Sequence, residues 1–172
     1  ITVLVISVSS QVFAQSTPEP PNVLLVTAHP DDDALFSITV YKIAKLMGGK
    51  VDLALLTNGE GGYKYSTFGP QFYGLDLTKE EVGRQYLPAI RKKELMAGGD
   101  IVGIRNYFFL EQVDNEYTQD AKWILNDIWD VERAQSDLKR VIKNGDYDYI
   151  FTLLPTTTTH GHHQASAILA IR

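Results

Sequence analysis

Four short apolar runs alternate with stretches of helical spacing along the chain. The runs cover 22–28, 51–57, part of 101–110, and 149–154. Continuous apolar runs of this length are typical of strands that are buried on both faces. Because parallel neighbours need crossover connections, the alternation predicts an α/β fold: a single domain with a Rossmann-like, mostly parallel sheet and helices on both faces.

The segments between the runs predict the helices. After the first run, apolar residues follow at helical spacing, at Leu35, Ile38, Ile43 and Leu46, and Gly48 and Gly49 end this helix. Thr78 and Glu81 form a capping-box pattern for a helix that reaches about Ala97 and is separated from the third strand by Gly98 and Gly99. The stretch 119–144 is helical in pattern, with a break near Trp129.

Residues 58–74 contain many glycines and aromatic side chains and predict a long functional loop. The aromatic residues have two interpretations, as rings that stack on a sugar or as rings that pack the loop down. They are Tyr63, Tyr65, Phe68, Phe72 and Tyr73. Trp123 and Trp129 are expected on the buried face of the following helix.

Composition narrows the chemistry. The chain has 172 residues, no cysteine, and a formal net charge of −5. An acidic balance disfavours nucleic acid as a partner, and the lack of cysteine excludes disulfides, thiolate nucleophiles and cysteine-bound metals. A metal site in this chain would need histidine and carboxylate ligands.

The N-terminal residues resemble a targeting segment. Residues 1–10 are almost wholly apolar or small and 12–14 offer a small-x-small site, so we expect 1–14 to be the remnant of a signal peptide, with 15–21 as a leader to the domain at 22–172. This interpretation implies an exported protein, periplasmic or extracellular, with no membrane span in the mature chain. An edge strand of the fold is the alternative. The helical pattern at 164–172 stops without a cap, so we expect the domain to continue beyond it.

All four histidines lie in two turns that follow the first and fourth predicted strands. The first turn contains His29, Pro30 and the acids at 31–33, and the second contains 160–163. Ligands collect at the carboxyl ends of parallel strands, so these turns should meet. His29 and Asp32, with one histidine from the second turn, would suit a catalytic zinc site with an open position for water. The alternative is that the acids cap a helix and the histidines form an exposed polar turn.

The same residues carry a family resemblance. Residues 28–33 (AHPDDD) resemble the AHPDD(E/D) signature of the LmbE-like or PIG-L zinc-dependent N-deacetylases. LTNGEGG at 56–62, RKKELMA at 91–97 and the H-x-x-H of 160–163 resemble the later motifs of that family, in the same order. The resemblance runs from about Asn22 to the last residue.

The resemblance implies a role for each matching residue. His29, Asp32 and His163 would bind Zn²⁺, and Asp31 would be the general base. Protonated His160 would lie beside the developing oxyanion. Arg91 and, less directly, Asp114 would contact the sugar. Without the resemblance, Arg91 has another interpretation, an i,i+3 ion pair with Glu94.

Two positions depart from the family pattern. Asp33 stands where the family usually has Glu, which would weaken a hydrogen bond that orients a ligand. Gly161 and His162 replace the middle of H-P-D-H, so the acid that would raise the pKa of His160 is missing. His162 is interpreted as a surface imidazole, with an added polar contact in the pocket as the alternative.

Together these expectations indicate a zinc-dependent hydrolase that removes an N-acetyl group from an N-acetylglucosamine-type sugar or glycoconjugate. Two alternatives stay open at this point. One is a catalytically weak carbohydrate-binding module of the same fold, and the other is an amidohydrolase for a non-sugar N-acyl substrate. The sequence does not indicate the oligomeric state.

Overall fold

The computed structural model describes residues 19–172. The signal-peptide remnant expected at 1–14, and the leader up to residue 18, lie outside the described residues. The strands are β1 (Asn22–Thr27), β2 (Lys50–Thr57), β3 (Ile104–Gln112) and β4 (Tyr149–Thr152). The α-helices are α1 (Ser37–Tyr41), α2 (Gly69–Tyr73), α3 (Glu80–Val102), α4 (Ala121–Trp123), α5 (Val131–Gly145) and α6 (Gly161–Ile171). Short 3₁₀ turns cover Asp32–Phe36 and Glu60–Tyr65, and π-helical turns cover Lys42–Leu46 and Ile124–Ile128.

The four strands form one parallel sheet in the order β3-β2-β1-β4. β1 lies in the middle and pairs with β2 on one side and with β4 on the other. The predicted α/β fold with a parallel sheet flanked by helices is therefore confirmed. In this order the carboxyl ends of β1 and β4 are adjacent, which brings together the two histidine turns.

Each face of the sheet has its own apolar core, because successive side chains of a strand point to opposite faces. One core joins the sheet to α5 and α6 through Leu24, Val26, Leu138 and Leu169. The other joins it to α1, to the π-helical turn that follows α1, and to α3 through Val23, Leu25, Val40, Ile43 and Leu95. A central strand that is buried on both sides holds the turn at its end firmly in place.

The boundaries of α3 differ from the sequence prediction. Lys79 occupies the N-cap position, and the Thr78 hydroxyl instead donates a hydrogen bond to Asp76 at 2.6 Å. The helix also continues through Gly98 and Gly99 and ends at Gly103, whose φ of 102° suits a glycine C-cap. Gly99 is needed within the helix because a Cβ there would collide with the Tyr107 hydroxyl of β3.

The apolar spacing after β1 was also a poor guide to burial. Leu35, Ile38 and Leu46 are 73%, 85% and 69% exposed, whereas Val40 and Ile43 are buried. The segment changes from 3₁₀ to α to π geometry over fifteen residues. Each change alters the rotation per residue, so a fixed helical period no longer selects one face.

The break predicted near Trp129 is confirmed. The π-helical turn ends at Ile128, and α5 begins at Val131 after its N-cap Asp130, whose side chain accepts a hydrogen bond from the backbone N–H of Arg133. Trp129 itself is buried in the core beneath α6, but it lies between two helical segments and not on the face of a helix. Among the helices of residues 19–172, none is both long enough and apolar enough to cross a membrane.

Candidate metal centre

The two histidine turns meet at the carboxyl edge of the sheet. The end of β1 is fixed by Thr57 of β2, whose backbone N–H and hydroxyl both donate to the carbonyl of Ala28, at 2.9 and 2.8 Å. The second turn is fixed by a hydrogen bond of 2.6 Å from the Gly161 backbone N–H to the carbonyl of Thr118. Both turns are therefore held by backbone contacts that do not depend on a ligand.

Three side chains converge there, and they are the three expected metal ligands. The His29 Nδ1 atom lies 3.2 Å from His163 Nε2 and 3.6 Å from Asp32 Oδ2, and His163 Nε2 lies 3.1 Å from Asp32 Oδ1. Tetrahedral bonds of about 2.0–2.1 Å would separate zinc ligand atoms by about 3.3 Å. Each of these three separations is therefore close to the distance between two ligand atoms of one tetrahedral ion.

Backbone amides orient the Asp32 carboxylate. Its Oδ2 accepts hydrogen bonds from the N–H groups of Ala28 and His29, at 3.0 and 2.8 Å. This leaves Oδ1 facing His163. Asp32 is only 6% exposed, and a carboxylate so deeply buried needs donors or a cation to remain charged. A metal ion held by two imidazoles and this carboxylate would meet that need.

The ligands perturb each other in opposite directions. Burial alone would lower the pKa of His29, but the hydrogen bond and charge of Asp32, together with Asp114 and Asp31, outweigh burial and raise it. For Asp32, burial acts to raise the pKa, and the hydrogen bonds from His163 and His29 lower it well below its usual range. The carboxylate is therefore ionised at neutral pH, as a metal ligand must be.

His162 is not a surface residue, so the preferred interpretation of the sequence was wrong. Its side chain is fully buried and lies stacked on Trp129, with ring centroids 5.4 Å apart. Burial first, and then the neighbouring histidines His29, His160 and His163, lower its pKa to about 2. His162 is buried because of its position on the first turn of α6, where its side chain points into the core while that of His163 points to the cleft.

His162 contacts the candidate ligand His29 from behind. His162 Nε2 lies 2.8 Å from Asn115 Oδ1, and His162 Nδ1 lies 3.0 Å from His29 Nε2. Because an amide oxygen only accepts, His162 must donate from Nε2 and accept at Nδ1. His29 then donates from Nε2 and presents a bare Nδ1 to Asp32 and His163. The hydrogen bonds from Asn115 through His162 to His29 therefore set the His29 tautomer that metal binding requires.

His160 occupies the N-cap of α6, and its Nδ1 accepts a hydrogen bond from the His162 backbone N–H at 3.1 Å. Burial first, and then the proximity of His29 and His163, lower the pKa of His160 to about 4. These surroundings favour a neutral imidazole at pH 7, whereas the resemblance implies a protonated one. Since Nδ1 accepts, Nε2 carries the hydrogen and remains a neutral donor.

The centre opens into a cleft of about 330 Å³ that is lined by all seven of the site residues predicted from the sequence. Asp31 lies at its mouth with its side chain 75% exposed, and its Oδ1 accepts a hydrogen bond from Arg91 Nη2 at 2.9 Å. Arg91 also donates to the carbonyl of Gly59 at 3.0 Å. The Arg91 ion pair is thus with Asp31, and Glu94 instead accepts a hydrogen bond from Tyr73.

Asp114 lies deeper, at the wall of the cleft, and is 5% exposed. Its Oδ2 accepts from the Gly61 backbone N–H at 3.1 Å, and Glu60 accepts from the Asp114 backbone N–H at 3.0 Å. These reciprocal bonds join the glycine-rich loop to the segment after β3. Asp114 Oδ1 is 3.4 Å from His162 Nδ1 and 3.8 Å from His29 Nε2, so this carboxylate lies beside a candidate ligand as well as in the cleft.

The loop has glycine where close packing requires it. Gly59 has a φ of 76°, and a Cβ there would overlap the Arg91 guanidinium. A Cβ on Gly61 would come within 2.7 Å of Asp114 Oδ1. Glycine at both positions therefore leaves room for a side chain of the cleft, Arg91 beside Gly59 and Asp114 beside Gly61.

Three features that support the centre were not predicted from the sequence. They are Asn115, Arg84 and the burial of His162. Arg84 donates to the backbone carbonyls of Asp114 and Asn115, at 2.9 and 2.8 Å, and so holds that segment against α3. The spacing of seven residues between Arg84 and Arg91 places both on one face of a helix, which is a signal that could have indicated it. Asn115 has no local signal beyond its position next to Asp114.

A second group, His29, His160 and His162, also has ligand atoms close enough to hold an ion. It would use the Nε2 side of His29, which already contacts His162, and it lacks a carboxylate. The group with Asp32 combines nitrogen and oxygen donors at the base of the open cleft. We therefore take His29, Asp32 and His163 as the candidate centre.

Solved structures of low sequence identity share this fold. N,N'-diacetylchitobiose deacetylase from Pyrococcus horikoshii superposes with a TM-score of 0.64 at 22% identity, covering 88% of this chain and 48% of that one. The 4-carboxy-2-hydroxymuconate hydratase GalB from Pseudomonas putida KT2440 gives 0.66 at 17%, covering 88% and 54%. The A40926 pseudoaglycone deacetylase Dbv21 gives 0.56 at 20%, covering 90% and 58%. The chain thus spans about half the length of these proteins.

The sequence identifies the family within this fold. Residues 24–172 match the profile of the family described as PIG-L, GlcNAc-PI de-N-acetylase. The chain therefore belongs to the PIG-L family, which confirms the resemblance noted from its motifs. A comparison with curated protein sequences gives no match.

Proposed function

We propose that this protein is a zinc-dependent N-deacetylase that acts on an N-acetylglucosamine-type sugar or glycoconjugate. The observation that carries the proposal is the triangle formed by His29, Asp32 and His163 at the base of a cleft. Membership of the PIG-L family and the likeness to two deacetylases support the reaction class. When bound, the ion would lower the pKa of a water molecule to about 7 and polarise the amide carbonyl.

The protein's own residues would then move the protons. Asp31 is the proposed general base, because its carboxylate is exposed at the cleft while Arg91 holds one of its oxygens. The other oxygen is available to accept a proton from water as the carbonyl carbon is attacked. Asp31 can return that proton to the amine, so that acetate and a free amino group are the products.

Neutral His160 is the proposed oxyanion donor. Its Nδ1 is engaged by the backbone of α6, so Nε2–H is the group available to the tetrahedral oxyanion. A donor fixed in advance stabilises developing charge without reorganising at the moment of reaction. Arg91 and Asp114, which both line the cleft, are the proposed contacts for the sugar hydroxyls.

The role of Asp31 can be tested directly by substitution of Asp31 with Asn. We expect Asp31→Asn to lower acetate release by about 10²–10⁴-fold, the usual contribution of a general base, while the zinc content stays that of the parent. Asp33→Asn is the matched control: Asp33 lies in the same acidic run, and its carboxylate contacts the backbone of its own turn. We expect this control to keep most of the activity.

Assays of the parent protein also separate the alternative functions. A parent protein that binds acetylated sugars without releasing acetate would be a carbohydrate-binding module. Release from non-sugar N-acyl compounds alone would indicate a different amidohydrolase. The likeness to a hydratase adds water addition to an unsaturated acid as a further candidate, which would appear as loss of the conjugated absorbance without acetate.

A further inference from the structure

A second groove lies beside the cleft and is lined mainly by apolar side chains. It has a volume of about 440 Å³. Its walls come from Phe68, Phe72 and Tyr73, and its base comes from Leu77, Leu87 and Ile90. Arg91 borders both spaces, and Tyr65 of the cleft is followed by Ser66 of the groove. A molecule bound in the cleft could therefore extend into the groove without leaving the surface.

The aromatic walls are exposed rather than packed into the loop. Phe68 and Phe72 are 68% and 71% exposed, whereas Tyr63 of the same loop is buried. The sequence left open whether these rings pack the loop down, and only Tyr63 does so. Large apolar side chains that stay exposed next to a cleft are characteristic of a binding surface.

The groove is held in shape before any ligand binds. The rings of Phe68 and Phe72 meet edge to face at 6.2 Å. Gly69 lies between them and is buried against Leu77, where a Cβ would come within 2.6 Å of the Leu75 carbonyl. Gly74 ends α2 in the left-handed region, with a φ of 68°. The short helix that carries the rings is thus fixed on the buried cluster of Leu77 and Leu87.

The polar groups of the groove are paired with the protein itself. The Ser66 hydroxyl donates to the Gly62 carbonyl at 3.3 Å, and the Tyr73 hydroxyl donates to Glu94 at 2.7 Å. Arg91 donates to Asp31 and to the carbonyl of Gly59. A sugar ring has several hydroxyls that would need partners here, and their burial against leucine and isoleucine would be unfavourable. An apolar group needs none.

We propose that this aromatic groove binds an apolar alkyl or aryl aglycone of the sugar whose N-acetyl group lies in the cleft. The inference rests on the proposed deacetylase function and specifies its substrate class. It makes Phe68 and Phe72 specificity-determining residues, since they would add affinity for the aglycone without touching the reacting amide.

The test compares methyl and octyl N-acetylglucosaminide, below the micelle concentration, as substrates of the zinc-loaded full chain. Each buried methylene is worth about a 4-fold gain, so kcat/KM should be at least about 10-fold higher for the octyl glycoside. In the double variant Phe68→Ala/Phe72→Ala this octyl-to-methyl ratio should fall to near one. Leu35→Ala/Ile38→Ala, which removes equally exposed apolar side chains outside the groove, should leave the ratio unchanged.

The outcomes separate the two proposals. Turnover of the methyl glycoside without a gain for the octyl glycoside, or a gain that survives in the Phe variant, would overturn the groove proposal alone. N,N'-diacetylchitobiose gives a further outcome. If its kcat/KM exceeded that of the methyl glycoside by more than the octyl glycoside does, and this gain were lost in the Phe variant, the groove would bind a second sugar and the proposal would be overturned. Absence of all turnover would contradict the deacetylase proposal. Calorimetry with methyl and octyl glucosaminide then decides the groove, because tighter octyl binding in the parent only would support it.

Discussion

The two edges of the sheet each bury a carboxylate, but they surround it with different partners. At the amino edge, Asp52 is 2% exposed and accepts four hydrogen bonds: two from Arg105, one from Asn106 and one from Tyr147, at 2.7–3.1 Å. At the carboxyl edge, Asp32 is 6% exposed and faces backbone amides and two imidazoles.

The two carboxylates differ in whether the side chain beside them carries a permanent positive charge. Arg105 is always protonated, so Asp52 is neutralised within the protein. Imidazoles are neutral once they act as metal ligands, so Asp32 is left for a cation from solution. The same type of buried acid thus stabilises the fold at one edge and prepares a site at the other.

The largest effect should come from Asp32→Asn. A structural zinc site of four ligands binds with about 10–16 kcal/mol, so one ligand is worth about 3–4 kcal/mol, or about 10²–10³-fold in affinity. We expect zinc binding, measured by competition with a chromogenic chelator, to weaken by at least about 100-fold. Asp52→Asn is the matched control and should bind zinc as the parent does. Equal losses in both variants would mean that zinc affinity follows stability and that Asp32 and Asp52 do not differ in function.

The next effect concerns stability. Asp52→Asn loses charge-assisted hydrogen bonds and should lower the free energy of unfolding in urea by about 2–3 kcal/mol. Asp137→Asn, which removes a surface ion pair with Arg140, should cost less than about 1 kcal/mol. A similar cost for both variants would show that the Asp52 network contributes no more than a surface pair.

The same variant should carry a pH signature. Burial alone raises the pKa of Asp52, but Arg105, Tyr147 and Asn106 outweigh it and hold the pKa below its usual value. Its contribution to stability is therefore complete above the unfolded pKa of about 3.9 and is lost as the pH falls through the folded value. The difference between parent and Asp52→Asn should be constant from about pH 7 to 5 and narrow below about pH 4. A gap that stays constant to low pH would contradict this assignment.

The smallest effect should come from the partner of His162. Asn115→Leu removes the acceptor that sets the His162 and His29 tautomers, and outer partners of metal ligands are worth about 10–100-fold in affinity. We expect a loss near the lower limit, because Asn115 acts through two histidines. The control Asn106→Leu makes the same change at the amino edge and should leave zinc affinity unchanged. If Asn115→Leu binds zinc as tightly as the parent, the hydrogen bonds from Asn115 through His162 to His29 have no role in zinc affinity.

Several features were predictable because they depend on local pattern. The apolar runs identified all four strands, and their alternation with helices predicted a parallel sheet with the two histidine turns at one edge, whereas the strand order that makes β1 and β4 neighbours came from the structure. His29 and Asp32 were named from these turns and His163 from the family resemblance, and the structure brings their ligand atoms together. Their roles in catalysis remain proposals, as do export and the nature of the sugar.

Other features could not be read from local pattern. The orientation of His162 depends on the rotation of α6 above Trp129, and the exposure of Leu35 and Ile38 depends on a helix that changes geometry. The pairing of Arg91 with Asp31, sixty residues away, replaced the local pairing with Glu94.

The residue types at the ends of the buried strands could be identified from the chain alone, because an uninterrupted apolar run indicates a strand that is buried on both faces. Tertiary structure decided which nitrogen of each histidine faces the cleft, which acid faces an arginine, and which aromatic rings remain exposed. These depend on distances between segments far apart in the chain, and such distances are set only when the two cores pack against the sheet.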